Sequence, residues 1–413
     1  MSKPRIEPIR VVILGSTGSI GVQALDIIRR NPDRFTVVAL CATGANAQAL
    51  ASAAIEFEVE IVGVTRGTCG QDVQMHLFAG VQDRGFSLGE RTLPELVIGP
   101  SAPEQLARLD VDIVLNAIAG AAGLKATLET LAAGNRLALA NKESLIIGGD
   151  LVSHLAVPGQ IIPVDSEHSA IAQCLLAGKG PEVRKLIITA SGGPFLGKSR
   201  NQLEKVSIDD ALAHPTWKMG PLVTINSATL VNKGLEVIEA HLLFDVPFTD
   251  IEVTVHPQSV VHSMVEFIDG STIAQASPPD MGIPIAWALS AGRDVFRVPD
   301  AAPACDWKTA STWEFQPLDE EVFPAVGLAR VAGEAGGTAP AVFNAANEAA
   351  VAAFLAGEIT FLSIVDHIEH VLQLHLAGSG DLGPGSSFVS GNALTLEDVL
   401  SADGWAREFS IGG

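Results

Sequence analysis

Ile9-Arg-Val-Val-Ile-Leu14, then Gly15-Ser-Thr-Gly18-Ser-Ile-Gly21, then Val22 to Arg30: the reading of this stretch decides the fold. Its first six residues are almost continuously apolar, as a strand covered on both faces requires. Ile20, Ala24, Ile27 and Ile28 recur at helical spacing and predict a helix over Ile20–Arg30. The three glycines between strand and helix let the backbone turn tightly and approach a phosphate, which the amides of the helix N-terminus then stabilise. The spacing is GxxGxxG, with Thr17 where the usual fingerprint has its second glycine. A tight strand-to-helix turn with no ligand also fits. The position between first strand and first helix favours dinucleotide binding.

The same alternation continues outward. Strands are expected at Phe35–Leu40, Ile61–Val64, Leu96–Ile98, Asp112–Asn116 and Arg136–Ala140, with an Ala/Leu helix before the last. The pattern predicts an α/β class fold, a doubly wound Rossmann-like domain with a parallel sheet over 1–164. At the end of the second strand, Ala42-Thr43-Gly44-Ala45-Asn46 carries no acid to grip a ribose 2′-hydroxyl, which favours NADP over NAD. Thr43 and Asn46 can donate to a 2′-phosphate, but the loop has no Lys or Arg. Beyond Asp165 the strands crowd: Val183–Thr189, Ile251–Val255, Val260–Ile268 and Ser271–Ala276, with Asp269-Gly270 as a hairpin turn and one helix over Asn226–Leu243. This predicts an α+β domain with a mixed sheet over 165–296. The Pro- and Trp-bearing stretch 297–324 reads as a linker, and 325–413 as an α-helical C-terminal domain.

The chain has 413 residues, with 26 Lys and Arg against 47 Asp and Glu, a formal charge of −21. Such an excess repels nucleic acid and anionic membrane surfaces, so an anionic substrate must be held by local cations and dipoles. No unbroken apolar run reaches the roughly 18 residues of a bilayer span. Lys3 and Arg5 precede only the short run Val11–Leu14, too brief for a secretory signal. Four scattered cysteines without CxxC predict reduced thiols and a cytoplasmic location.

Several polar clusters interrupt the apolar background. In Pro163-Val-Asp165-Ser166-Glu167-His168, two acids at i and i+2 are expected to leave a strand end on one side. A hard cation such as Mg²⁺ or Mn²⁺ explains the pair, and so does a helix N-cap before His168–Leu176. On the helix over Asn226–Leu243, Asn232 and Glu236 are i, i+4, with Ser227 a turn earlier and Lys233 beside them. A plain amphipathic helix with a capping serine is the alternative, and Glu239 is assigned to that reading. Asn141-Lys142-Glu143 lies at a strand's carboxyl end, where open sheets bind ligands. Ser191-Gly192-Gly193-Pro194 offers amides and a hydroxyl, and His214 to Gly220, with Trp217 and Met219, reads as a closing loop. His367 and His370 with Asp366, and Cys174, read as packed or solvated groups. His256 and His262 read as supports of the site or of the sheet.

GSTGSIG (Gly15–Gly21), ALANKES (Ala138–Ser144), PVDSEHSAI (Pro163–Ile171), ASGGPF (Ala190–Phe195), HPTWKMG (His214–Gly220), NSATLVNKGLEVIEA (Asn226–Ala240), VHPQSVVHSMVEF (Val255–Phe267), SPPDMGIPIAWAL (Ser277–Leu289) and NAANEAAV (Asn344–Val351) follow one another along most of the chain. In combination they resemble the 1-deoxy-D-xylulose 5-phosphate reductoisomerase family. The resemblance implies a homodimer that rearranges this small phosphorylated sugar by a retro-aldol/aldol route and reduces the product with NADPH to 2-C-methyl-D-erythritol 4-phosphate. It implies a divalent metal, Mg²⁺ or Mn²⁺ with Co²⁺ as a further candidate, on Asp165, Glu167 and Glu236. Those acids, with Lys142 and His214, would be catalytic. Ser191, Ser227, Asn232 and Lys233 would hold the phosphate, Lys142 and Ser166 would contact the hydroxyketone end, Glu167 and Glu236 would also bind substrate, and His214 and Trp217, of the closing loop, would bind it as well. Gly15, Thr17, Gly18, Ser19, Ile20, Asn46, Asn141, Glu143 and Gly220 would contact NADPH. Two departures stand out: the Lys that family members often carry near Asn46 is absent, and Arg66–Arg91 matches no family motif. A Rossmann semialdehyde dehydrogenase using Cys174 as nucleophile and a non-catalytic dinucleotide sensor are the rival readings.

Overall fold

Ile9–Leu14 forms strand β1, and its side chains alternate between two cores. Val11 and Ile13 enter one, Val12 and Leu14 the other, because a parallel strand inside a sheet is buried on both faces. The computed structural model describes residues 7–85, 93–217, 219–291, 296–378 and 382–412. Lys3, Arg5, Lys218 and the end of the Arg66–Arg91 stretch fall outside them. The next strands are β2 (Phe35–Ala42), β3 (Ile61–Val64), β4 (Glu95–Ile98), β5 (Ile113–Asn116), β6 (Arg136–Leu139) and β7 (Ile161–Pro163). They pair in parallel in the order β4-β3-β2-β1-β5-β6-β7, the doubly wound arrangement expected. The sheet grows outward from β1 in both directions, which leaves a crevice at the carboxyl ends of β1 and β5.

A second sheet is formed by β8 (Val183–Ala190), β9 (Ile251–Val255), β10 (Val261–Phe267), β11 (Thr272–Ala276) and β12 (Gln316–Pro317), in the order β11-β10-β8-β9-β12. It is mixed: β8 and β9 run parallel and the other pairs antiparallel. The β10–β11 hairpin turns at Asp269-Gly270 as expected, with Gly270 at φ +85°. Asp269 Oδ1 accepts from the Ser271 amide at 2.9 Å.

The chain divides into two compact units: Met1–Asn141, Leu155–Ser169 and Asp280–Ala302 form one, and Lys142–His154, Ala170–Pro279 and Pro303–Gly413 the other. The division departs from a simple succession of domains. The helix Gly282–Ser290, which sequence reading put in the central domain, packs on the helix Ser19–Arg30 in the first unit, and Ile285 and Trp287 join its core. The 297–324 stretch contributes β12, whose Gln316 and Pro317 pair with Val255 and Thr254. The C-terminal helices Ala325–Ala335, Ala339–Leu355 and Phe361–Leu376 share one core with Val231, Ile238 and β8. The helix Ala339–Leu355 is buried nearly all round, so only Ala, Val and Phe fit most of its surface.

The single helix expected over Asn226–Leu243 is two, Pro221–Ala228 and Val231–Phe244. Leu230 between them stands at φ +61°, a left-handed conformation that ends the first helix. Thr229 supports the break: its hydroxyl donates to the Ile225 carbonyl at 3.0 Å, bonding back along its own helix.

Candidate active site

In the first unit the glycines are sterically required. Gly15 has φ +86°, and a Cβ there would lie 2.4 Å from the Ala117 carbonyl oxygen at the end of β5. A Cβ on Gly21 would lie 2.5 Å from the Gly15 carbonyl oxygen. The turn is thus pressed into the crevice beside β5, and the helix onto the turn. The Gly15 and Ser16 amides both donate to the Cys41 carbonyl, at 2.8 and 2.9 Å, tying the turn to β2. Gly18, at the helix N-cap, and Ser19 are exposed, with Thr17 and Ile20 partly so. Asn46 Oδ1 accepts from the Ala49 amide at 3.1 Å and caps the helix Ala47–Glu56. Asn141 follows β6, its side-chain amide donating to the Gly120 carbonyl at 3.0 Å.

Sequence reading overlooked Arg66. It lies 23 residues beyond Thr43, yet β2 and β3 are neighbours, and the Arg66 amide donates to the Thr43 carbonyl at 3.2 Å. The signal was the parallel pairing of adjacent strands, which brings the loop after β3 beside the loop after β2.

The acidic pair follows β7. Strand geometry does not orient it, because β7 ends at Pro163 and a helix begins at Ser166. Instead Asp165 caps that helix, its Oδ1 accepting from the Glu167 amide at 3.1 Å and the His168 amide at 3.4 Å. His168, fully buried, places Nδ1 3.1 Å from the same oxygen. Ser166 Oγ donates to Glu167 Oε2 at 2.5 Å. The Asp165 and Glu167 carboxylates bring oxygens within 4.8 Å of each other. The helix-cap reading holds: the cap orients one acid, and the first helical turn presents the second. Two hard oxygen donors so placed suit Mg²⁺ or Mn²⁺.

In the second unit the helix break sorts the polar groups. Ser227 ends one helix, and Asn232, Lys233 and Glu236 occupy the first turns of the next. Glu236 is buried and accepts from Lys142 Nζ at 3.1 Å; Lys233 Nζ and the Asn232 side-chain amide also contact its carboxylate. Lys142 Nζ further donates to Asn232 Oδ1 at 3.2 Å. Two ammonium groups and one side-chain amide thus converge on the Glu236 carboxylate. Gly234 makes the tight packing possible, since a Cβ there would lie 2.7 Å from Ala329 Cβ.

Beside it, His214 Nε2 lies 3.2 Å from Ser191 Oγ and 3.1 Å from Ser227 Oγ. Its Nδ1 accepts from the Thr216 and Trp217 amides at 3.2 and 2.9 Å, so the ring proton resides on Nε2. Burial lowers the His214 pKa below its ordinary value, which keeps the ring neutral. Because Nε2–H donates to the serines, their own hydroxyl protons are left to donate elsewhere. Ser191 Oγ also accepts from the Gly193 amide at 3.2 Å, and Gly192 and Gly193 both have positive φ. Trp217 meets His262 edge-on, with ring centroids 6.1 Å apart. Gly220 caps the helix Pro221–Ala228.

Some expectations need correction. Glu239 is completely buried, which its assignment to a plain amphipathic helix does not explain. Glu143, whose expected cofactor role is not among these corrections, lies among Lys142, Glu239 and Glu348, and burial raises its carboxyl pKa. The packed reading of Cys174 holds and the rival nucleophile reading does not: the thiol is buried and pushed up to about 11, away from the thiolate form.

Family profiles described as 1-deoxy-D-xylulose 5-phosphate reductoisomerase match residues 11–149, as its C-terminal domain 161–244, and as the DXP reductoisomerase C-terminal domain 276–409. The chain is similar to the 1-deoxy-D-xylulose 5-phosphate reductoisomerase of Kitasatospora griseola, 57% identical over 397 residues that make up 96% of this chain and 98% of that protein. It is similar to the enzyme of that name from Zymomonas mobilis solved in complex with NADPH, with 39% identity, TM-score 0.84 and 98% of both chains covered. A DOX-P reductoisomerase solved with NADPH, fosmidomycin and magnesium matches at 36% identity and TM-score 0.85 over 97% of both chains.

Proposed function

The chain belongs to the 1-deoxy-D-xylulose 5-phosphate reductoisomerase family, and from that premise we propose how its residues divide the work. It is an NADPH-dependent oxidoreductase that converts 1-deoxy-D-xylulose 5-phosphate to 2-C-methyl-D-erythritol 4-phosphate. The observation that carries the assignment of roles is the polar cluster of the second unit, where Lys142, Lys233 and Asn232 gather on Glu236 beside the Ser191–His214–Ser227 group. The two serine hydroxyls, the Asn232 amide and Lys233 grip the substrate phosphate, far from the bonds that change. Binding energy from that grip serves to close Trp217 and its loop and to hold the reacting carbons in place. Neutral His214 aligns the hydroxyls, and through Nδ1 it fixes the Thr216–Trp217 backbone.

Asp165, Glu167 and Glu236 are the acids assigned to the divalent cation, supported by the motif resemblance and the oxygen-only donor set. When bound, Mg²⁺ or Mn²⁺ supplies Lewis-acid stabilisation of negative charge on the carbonyl and hydroxyl oxygens during a retro-aldol/aldol rearrangement. Lys142 and Ser166 hold the same oxygens by hydrogen bonds, with the Lys142 ammonium offsetting their charge. Gly15, Thr17, Gly18, Ser19, Ile20, Asn46, Asn141, Glu143 and Gly220 are assigned to NADPH, which supplies hydride to the rearranged aldehyde.

The reading extends to a cytoplasmic homodimer. Among the described residues no helix is long and apolar enough to cross a membrane. Edge strand β11 exposes Thr272, Ile273 and Ala274 as a candidate contact for a second copy. The deciding experiment follows loss of reduced nicotinamide absorbance when the xylulose phosphate is added, with and without chelator. Turnover that disappears with chelator and returns with Mg²⁺ is expected. NADPH binding without turnover under any metal would make the protein a dinucleotide sensor instead.

A further inference from the structure

An NADPH site must hold a 2′-phosphate, and the loop after β2 has only neutral donors for it. Thr43 Oγ1 accepts from the Ala45 amide at 3.3 Å and Asn46 Oδ1 from Ala49, which leaves the Thr43 hydroxyl proton and the Asn46 side-chain N–H groups to donate outward. Neutral donors do not neutralise a dianion. The neighbouring loop supplies a cation. Beyond β3, the Thr65 amide donates to the Ala42 carbonyl at 3.0 Å and the Arg66 amide to Thr43 at 3.2 Å, so the two loops run side by side off the sheet. They are locked closely: Gly44 has φ +86°, and a Cβ there would lie 2.7 Å from both Val64 Cγ1 and Cys69 Cβ. Arg66 then caps the short 3₁₀ turn Gly67–Cys69. Its side chain is exposed, and among the described residues its guanidinium forms no ion pair or side-chain hydrogen bond.

We infer that Arg66 is the residue that makes this enzyme select NADPH over NADH, its guanidinium pairing with the 2′-phosphate that Thr43 and Asn46 also contact. An arginine set by a strand end next to β2 is chemically suited to this task, since its fork of N–H donors matches phosphate oxygens two at a time. The usual NAD-selecting acid is missing from the end of β2, so nothing there repels the phosphate. The inference rests on the NADPH reading given above.

The test is direct binding, independent of turnover: calorimetric titration of the full chain with NADPH, NADH, adenosine 2′,5′-bisphosphate and AMP. The parent protein should prefer NADPH to NADH and the bisphosphate to AMP; if it binds both dinucleotides alike, the cofactor reading itself is wrong. In Arg66→Ala the affinities for NADPH and the bisphosphate should fall by roughly tenfold to a hundredfold, with NADH and AMP changed less than about twofold. Arg66→Lys should recover part of the loss, and the salt dependence of NADPH binding should flatten in the alanine variant. Matching melting curves for parent and variants would confirm that exposed Arg66 carries no folding role. A parent that prefers NADPH combined with an Arg66→Ala variant of unchanged NADPH affinity, or one that loses NADH equally, overturns the assignment of Arg66 alone.

Discussion

Replacing Lys233 by Met removes one ammonium group and keeps most of its aliphatic stem, so packing is largely preserved. Lys233 is buried in the first turn of the helix Val231–Phe244 and contacts Glu236. Glu236 retains Lys142 at 3.1 Å and the Asn232 amide. The cost to folding should therefore stay below the roughly 3–5 kcal/mol of a buried carboxylate stripped of its partners. The cost to substrate binding is larger in effect. A charge-assisted hydrogen bond to phosphate contributes about 1.5–3 kcal/mol, equivalent to roughly tenfold to a hundredfold in KM. Steady-state kinetics should show KM for the xylulose phosphate rising by that factor, with kcat falling much less. For an analogue without phosphate, parent and variant should be equally poor. A proportional loss with both substrates would mean that Lys233 acts through Glu236 and not on the phosphate, and the phosphate assignment would be wrong.

Glu236→Gln should leave NADPH affinity nearly intact while turnover falls by orders of magnitude, because it changes the charge offered to the cation and not the glycine turn; unchanged turnover would refute its role as a ligand. Gly15→Ala, which drives a Cβ into the Ala117 carbonyl at 2.4 Å from a left-handed backbone, should destabilise the first unit by about 2 kcal/mol or more and weaken NADPH binding in step. A melting curve and NADPH affinity like those of the parent would rule out the steric account. His214 has a folded pKa below its ordinary value of 6.5, so its contribution to stability is full above pH 6.5 and is lost as pH falls through the lower folded value. Protonation at Nδ1 removes the acceptor for the Thr216 and Trp217 amides, so the Trp217 emission, taken as parent minus Trp217→Phe, should change over that acid range and not between neutral and alkaline pH.

Local pattern was enough to read the first sheet: the apolar runs over Ile9–Leu14, Ile61–Val64 and Arg136–Leu139 have one physical explanation, burial on both faces. It failed where a residue answers to a distant neighbour. The apolar spacing of Asn226–Leu243 continues straight through Thr229 and Leu230, and only the Thr229 back-bond and the left-handed Leu230 break it. The Gly282–Ser290 helix was visible as a helix, but no periodicity says which sheet it covers. Asp165 and Glu167 were found as a pair for a reason that does not apply, strand alternation, when helix capping is what places them. Glu239 reads as part of a plain amphipathic helix, and its complete burial has no local signal in the sequence. Arg66 belongs to no motif, and only the pairing of β2 with β3 puts its loop beside Thr43.

The interleaved path of the chain bears on how the protein is made. The first unit begins at the N-terminus, yet one of its covering helices, Gly282–Ser290, leaves the ribosome only after most of the second unit has been synthesised. Until then the face of the helix Ser19–Arg30 that meets Ile285 and Trp287 in one core stays bare. A fragment ending near residue 164 would keep that bare apolar face permanently, and so the nucleotide-binding half should be sticky when expressed alone and well behaved only as part of the whole chain.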